Sequence, residues 1–313
     1  MISSHLPLNR ALLAASVVAA LAQFNAAYAD TRVQASSGVQ YSDGKYGDTT
    51  STSALVVPFS LRASFGAWSI RASVPYVMVD GPADVSEIID DASGRGTSSG
   101  SGSSGSGSGS GSGTSGRDGS GSGSGGSGGG DDDGASGSGS GAIVPSDRNE
   151  SGIGDASLAL TYSIDALGDS PAYVDFTGRV RLPTGSEEDG LGVGATDYFA
   201  LSEIGWDGDA GGTFVSAGRR FLGKVDDFER VDGWQASVGG WVNISDSAVV
   251  GAYYDWRDSS VRDGEDPSSI EAYVSWRLND AWKIEVNGGV GLSDASADYT
   301  AGLTLIWRSS AKR

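Results

Sequence analysis

The chain has 313 residues, with 40 acidic against 21 basic for a formal net charge of −19, no cysteine and a single histidine. That acidic balance excludes nucleic acid as a partner, because phosphate binding needs clustered positive charge. Lack of cysteine removes any disulfide framework. With His5 placed in a leader segment, Ser-His-Asp and Cys-His catalysis and ordinary zinc sites are removed too. No enzymatic activity, metal or cofactor is expected.

Residues 1–29 read as a secretory signal peptide. "MISSHLPLNR" carries one arginine, "ALLAASVVAALAQF" falls short of the ~20 apolar residues a helical span needs, and "AYAD" offers an A-x-A site ending at Ala29. Asp30 is then the first residue of the mature chain, and 30–313 the body of the protein.

From there on no helical period is evident. Runs of about ten residues alternate apolar and polar side chains and are separated by Gly, Asp, Ser and Asn. Twelve such runs lie near 32–41, 52–65, 69–80, 154–165, 172–183, 197–206, 212–222, 233–244, 248–258, 268–278, 282–292 and 299–308. In the last, Tyr299, Ala301, Leu303, Leu305 and Trp307 point one way, and Thr300, Gly302 and Thr304 the other.

Connections alternate in length. "GAW", "LGDSP", "DGDAG", "SDS" and "NDA" are tight turns; 42–51, 184–196, 223–232 and 259–267 are longer polar loops. Short turns at one end and long loops at the other, with an even strand number, predict an all-β fold: a transmembrane antiparallel barrel of about 12 strands, of the outer-membrane type. All eight tryptophans fall near strand ends, Trp234 and Trp256 at the long-loop end and Trp68, Trp206, Trp241, Trp276, Trp282 and Trp307 at the short-turn end. Two aromatic girdles at the membrane boundaries are the reading that favours a barrel over a soluble sandwich.

Residues 81–151 form one long loop on the extracellular side, and its Ser/Gly-rich stretch 93–141 has nothing apolar to place in a core. A disordered tether is expected there, since loop closure costs little more as a loop lengthens. "GGGDDDG" lacks the spacing of a calcium loop and reads as a solvated acidic run.

With apolar side chains facing lipid, the alternate positions line the lumen. They carry Arg62, Arg71, Arg179, Arg181, Arg220, Arg257, Arg277 and Lys283, together with Asp175, Glu203, Asp255, Glu271 and Glu285. An Arg or Lys pointed at lipid near the midplane costs ~2–4 kcal/mol, which forces the inward assignment. Two roles stay open for these groups: a mutually paired filling that closes the barrel, or a wall whose field draws anionic solutes.

Three stretches, "SGIGDASLALTYSI", "GRVRLPTG" and "GLGVGATDYFAL", follow one another as a G-x-G-D strand opening, a strand ending in P-T-G and a G-x-G-x-x-D loop. In this order they resemble the outer-membrane transporter family named for the MetA pathway of phenol degradation. Gly152, Gly154, Asp155, Pro183, Thr184, Gly185, Gly192, Gly194 and Asp197 match its pattern. The resemblance implies an outer-membrane barrel of a Gram-negative bacterium that moves small, often hydrophobic or aromatic compounds. Two features depart from the pattern: the Ser/Gly insertion and the basic tail after Trp307. "GLGVGATD" is no nucleotide-binding loop, lacking the following helix and the P-loop lysine.

The expected function is a channel or transporter for small solutes, the alternative a structural or surface-interaction barrel with no open pore. Expected partners are outer-membrane lipid, the barrel-assembly machinery during biogenesis, and a small-molecule solute.

Overall fold

The computed structural model describes residues 31–47, 49–81, 149–165, 170–225 and 229–309. The leader, the Ser/Gly stretch and the last four residues of the basic tail lie outside the described residues. Strands follow the alternating runs: β1 (Arg32–Gly44), β2 (Thr52–Phe65), β3 (Trp68–Asp80), β4 (Asn149–Ile153), β5 (Ala156–Asp165), β6 (Ala172–Leu182) and β7 (Asp197–Gly208). They continue through β8 (Gly211–Phe221), β9 (Gly233–Ser245), β10 (Ala248–Arg257), β11 (Ser268–Arg277), β12 (Trp282–Gly291) and β13 (Tyr299–Arg308).

Every ladder is antiparallel, and the sheet closes because β1 pairs with both β2 and β13, in register from Gln34↔Arg308 to Asp43↔Tyr299. Closure removes the unpaired edges that a bilayer could not satisfy. β4 and β5 share one position beside β3, so the thirteen strands make a barrel wall of twelve.

The run expected at 154–165 is therefore in two pieces, and strand structure begins at Asn149, inside the segment expected to be loop. The interruption at Gly154–Asp155 has a local cause. Tyr76 faces Ile153 but Ser73 faces Ser157, so two residues of β3 oppose three of the other chain segment. That count is a β-bulge, and it bends the wall there.

Side-chain parity sets the two faces. Ile204 is 64% exposed, Val286 53% and Leu303 47%, all outward, whereas Glu271 and Glu285 are 1% exposed on inward positions of β11 and β12. Seven tryptophans point outward. Trp241 does not: it lies at an inward position of β9 opposite Gly212, where a Cβ would collide with its ring. The girdle expectation fails at Trp241 because glycine on the neighbouring strand opens a slot inside the wall.

Candidate functional site

The lumen wall is built row by row from paired inward positions, which share a face because side chains alternate with period two. Arg62 and Arg71 sit opposite each other on β2 and β3, and Arg62 Nη2 donates to Ser69 Oγ at 2.8 Å. Arg71 is level with Ala159, and Ala159 with Arg179. The Arg179 guanidinium lies 3.8 Å above the Phe199 ring, a cation–π contact, and Phe199 faces Arg220. Arg220 in turn donates to the Asp258 carbonyl at 3.0 Å. A basic band thus runs across β2, β3, β6 and β8.

Acidic groups lie on the far arc, where β10, β11 and β12 carry Asp255, Glu271 and Glu285, and also within the basic band, where β6 and β7 carry Asp175 and Glu203. Glu271 accepts from Tyr253 at 2.5 Å and Thr300 at 3.4 Å, while Asp255 accepts from Ser237. Lys283 sits 3.5 Å from Glu285 on the same strand, and Tyr173 donates to Glu203 at 2.6 Å. Asp175, Arg257 and Arg277 also take inward positions. Glu203, Asp255 and Glu271 each have a hydroxyl beside them and Glu285 has Lys283, as burial of charge requires.

At the long-loop end, residues 183–196 do not project away from the barrel. They fold into its mouth. Leu191 is 3% exposed and packs on Ala54, Val56, Val77 and Val79, the inward side chains of β2 and β3, with Tyr46 against the same cluster. Those strands are consequently apolar on both faces in this half.

The residues of the G-x-G-D, P-T-G and G-x-G-x-x-D stretches build the attachment. Asp155, at the bulge, accepts from the Gly185 and Val193 amides, both at 2.9 Å. Thr184 Oγ1 accepts from the Ala156 amide at 2.7 Å and donates to the Gly154 carbonyl at 3.0 Å. A Cβ on Gly152 would lie 2.7 Å from Leu191 Cδ1, and one on Gly192 would collide with Asp155 Oδ1. Gly194 takes φ +72°, a backbone region open to glycine. Pro183 ends β6 and turns the chain into this loop.

Where the loop re-enters the wall, Asp197 is fully buried between two arginines. Arg230 Nη1 and Nη2 donate to its two oxygens at 2.8 and 2.9 Å, and Arg181 Nε donates at 3.0 Å. Arg181 Nη2 donates to it as well, and the Gly223 amide adds a fifth bond at 2.7 Å. Five charge-assisted bonds on one carboxylate make this a brace between three segments, β6, β7 and the loop that follows β8. That loop is itself joined to the next by the Arg230–Val261 bridge and by an exposed ion pair, Arg262 to Glu229 at 2.6 Å.

Sequence reading placed Arg181 among the field-bearing lumen groups, but its guanidinium is committed to Asp197. Arg230 was not singled out at all. The clue available was the unbroken apolar run in "SALVV" and "YVMV", which says that both faces of those strands are covered.

No family model and no curated protein matches this sequence. Among solved structures, an outer membrane channel from Pseudomonas putida F1 superposes over 90% of this chain and 96% of that one, at 12% identity and a TM-score of 0.57. This chain has the fold of that barrel. Looser likenesses are to the CymD monoaromatic hydrocarbon channel, at 10% identity and TM-score 0.40 over 90% of this chain and 88% of that one, and the KdgM porin, at 6% and 0.44 over 88% and 98%.

Proposed function

We propose that the chain is an outer-membrane channel for small solutes whose mouth is narrowed by the folded-in loop 183–196. The observation that carries this reading is the closed barrel with a charged interior and a loop fixed across its entrance by Asp155, Thr184 and Asp197. A pore needs a constriction of fixed geometry to select solutes, and such a loop supplies one. The long loops face outward from the cell, and the short turns, the start of β1 and the end of β13 face the periplasm.

The basic band of Arg62, Arg71, Arg179 and Arg220 gives the lumen an anion preference. Net acidity resides mainly in loops and turns, whose charges are screened beyond about 8 Å at physiological ionic strength. The motif resemblance to the MetA-pathway transporters supports small hydrophobic or aromatic compounds as the solute class.

Planar-bilayer recording in a salt gradient tests the proposal. A reversal potential showing anion preference, reduced by Arg179→Ala, is expected. Absence of any conductance from correctly folded barrel would instead favour a closed, structural role, for which the buried pairing of Glu271 with Tyr253 and of Glu285 with Lys283 is the supporting observation.

A further inference from the structure

β2 and β3 carry the same five-residue pattern, "SLRAS" at 60–64 and "SIRAS" at 69–73. Antiparallel pairing sets one copy head to tail against the other, so Ser60 faces Ser73, Arg62 faces Arg71 and Ser64 faces Ser69. The period of two turns all six of these side chains into the lumen. β5 continues the three rungs with Ser157, Ala159 and Thr161.

Like charges directly opposite each other are destabilising unless something negative lies between them. No carboxylate occupies any of these positions on β2, β3 or β5. Arg62 donates to Ser69 and has Asp175 of β6 as a nearby counter-charge, and Arg179 stacks on Phe199. Arg71 has no such partner. Among the described residues it meets no acceptor, counter-charge or ring, and the charges acting on it are those of Arg62 and Arg179. Space is left beside it: Ala159, with only a methyl group, separates Arg71 from Arg179 along the rung, and both arginines keep part of their surface open. On either side of this rung hydroxyls replace charges, Ser73 bonded to Ser157 at 2.8 Å and Thr161 to Thr177 at 2.9 Å. Each such pair has two hydroxyl hydrogens and uses one between them, so the other can be given to a third acceptor.

Barrel strands tilt, so a rung slopes along the wall. This one begins with Arg220 at the long-loop end of β8 and passes Phe199 and Arg179. It reaches Arg71 and Arg62 close to the tight turn between β2 and β3. The basic band therefore descends from the mouth and ends, near the periplasmic side, on its two facing arginines.

We propose that the paired S-x-R-x-S segments form a binding site for an oxyanion, the carboxylate or phosphate head of a solute, with Arg71 as its principal ligand. Arg62, Arg179 and the flanking hydroxyls surround the same space. The proposal deepens the channel reading and rests on it only for how the anion arrives. A guanidinium is a planar fork that gives two parallel hydrogen bonds to one edge of a carboxylate or phosphate, which a halide cannot accept in that geometry. A carboxylate of the chain itself would hold the site permanently, whereas a solute anion can enter and leave.

The test titrates acetate and phosphate separately into full-length protein in nanodiscs, by calorimetry in a dilute phosphate-free buffer, with single-channel recording alongside. Saturable binding of one anion per chain is expected. Arg71→Gln, and Ala159→Phe, which fills the space but keeps all three arginines, should each weaken it about tenfold to hundredfold. Arg71→Lys keeps the charge without the fork, so it should lose oxyanion affinity while the current keeps its anion preference. In the same buffer without added anion, Arg71→Gln should raise the unfolding temperature, because one of two facing like charges is gone. Tighter acetate marks a carboxylate solute and tighter phosphate a phosphorylated one; either supports the site. Absence of saturable binding overturns it, as does unchanged affinity in Arg71→Gln or chloride competing mole for mole. Loss of fold in Arg71→Gln overturns it too, since Arg71 would then be a structural partner. Saturable binding in a barrel that never conducts sinks the channel reading and leaves the site standing. Conductance that rises linearly with salt, without saturable binding, does the reverse.

Discussion

Replacing Asp155 by Asn removes the charge but hardly the volume from the residue that fixes the mouth loop. Asp155 is 4% exposed and accepts two backbone amides, Gly185 and Val193, each at 2.9 Å. Asparagine has one acceptor oxygen, so it can serve one of these amides and must turn its NH2 toward the other. A hydrogen bond to a charged group contributes about 1.5–3 kcal/mol, and the remaining bond is weakened by loss of charge. The loop's attachment should therefore weaken by about 3 kcal/mol, a shift of about a hundredfold in the balance between docked and released loop. The loss is local, because β5 and β6 keep their own ladder from Ala156↔Leu182 to Asp165↔Tyr173. Hydrogen exchange followed by mass spectrometry on peptides covering 183–196 should report a fall in protection of about that size in the variant, with peptides from β10 to β13 unchanged. Single-channel conductance should rise in parallel. Wild-type protection at Val193 in a folded Asp155→Asn barrel would refute the reasoning, as would a rise in exchange spread evenly over the whole wall.

Asp197→Asn leaves Arg181 and Arg230 facing each other without a counter-charge, and loss of one partner from a buried pair costs about 3–5 kcal/mol; thermal unfolding of the barrel should move down and restoration should require Arg230→Met in addition. Arg179→Ala should lower anion preference in reversal-potential measurements without lowering stability appreciably, whereas Arg181→Ala should destabilise the mouth, two outcomes that separate a field-bearing arginine from a bracing one. Burial against the apolar cluster, followed by the charges of Asp43 and Asp298, pushes the Tyr46 phenol well above its ordinary value. The folded chain then keeps a proton that the unfolded chain releases near pH 10, so stability is intact below that pH and falls above it, and Tyr46→Phe should flatten the alkaline limb of an unfolding-versus-pH curve. The exposed Glu229–Arg262 pair holds the Glu229 carboxyl below its usual range, yet Arg262→Ala should leave the melting temperature unchanged in high salt, where the pair is screened.

The facing of the strands and the positions of most of them were legible in the residues because they depend on local rules. Alternation in "YTAGLTLIW" fixes which side of β13 meets lipid, whatever lies beyond it, and the same period of two sends Glu271, Glu285 and Arg220 inward on their own strands. Turn and loop lengths follow from the spacing of those runs. Local rules end where one segment covers another. Nothing near Asp155 in sequence says that Val193 is its partner, nor does the surrounding sequence pair Asp197 with Arg230 rather than with Arg220. Those contacts exist only because the cylinder closes and brings the 183–196 loop over the inner face of β2 and β3. Trp241 belongs to the same class: its place at a strand end is sequence information, and its turn inward depends on Gly212 of a neighbouring strand. Prolines 58 and 75 are visible in the sequence, but that they face each other across one rung is a matter of register between strands, which only the tertiary structure decides.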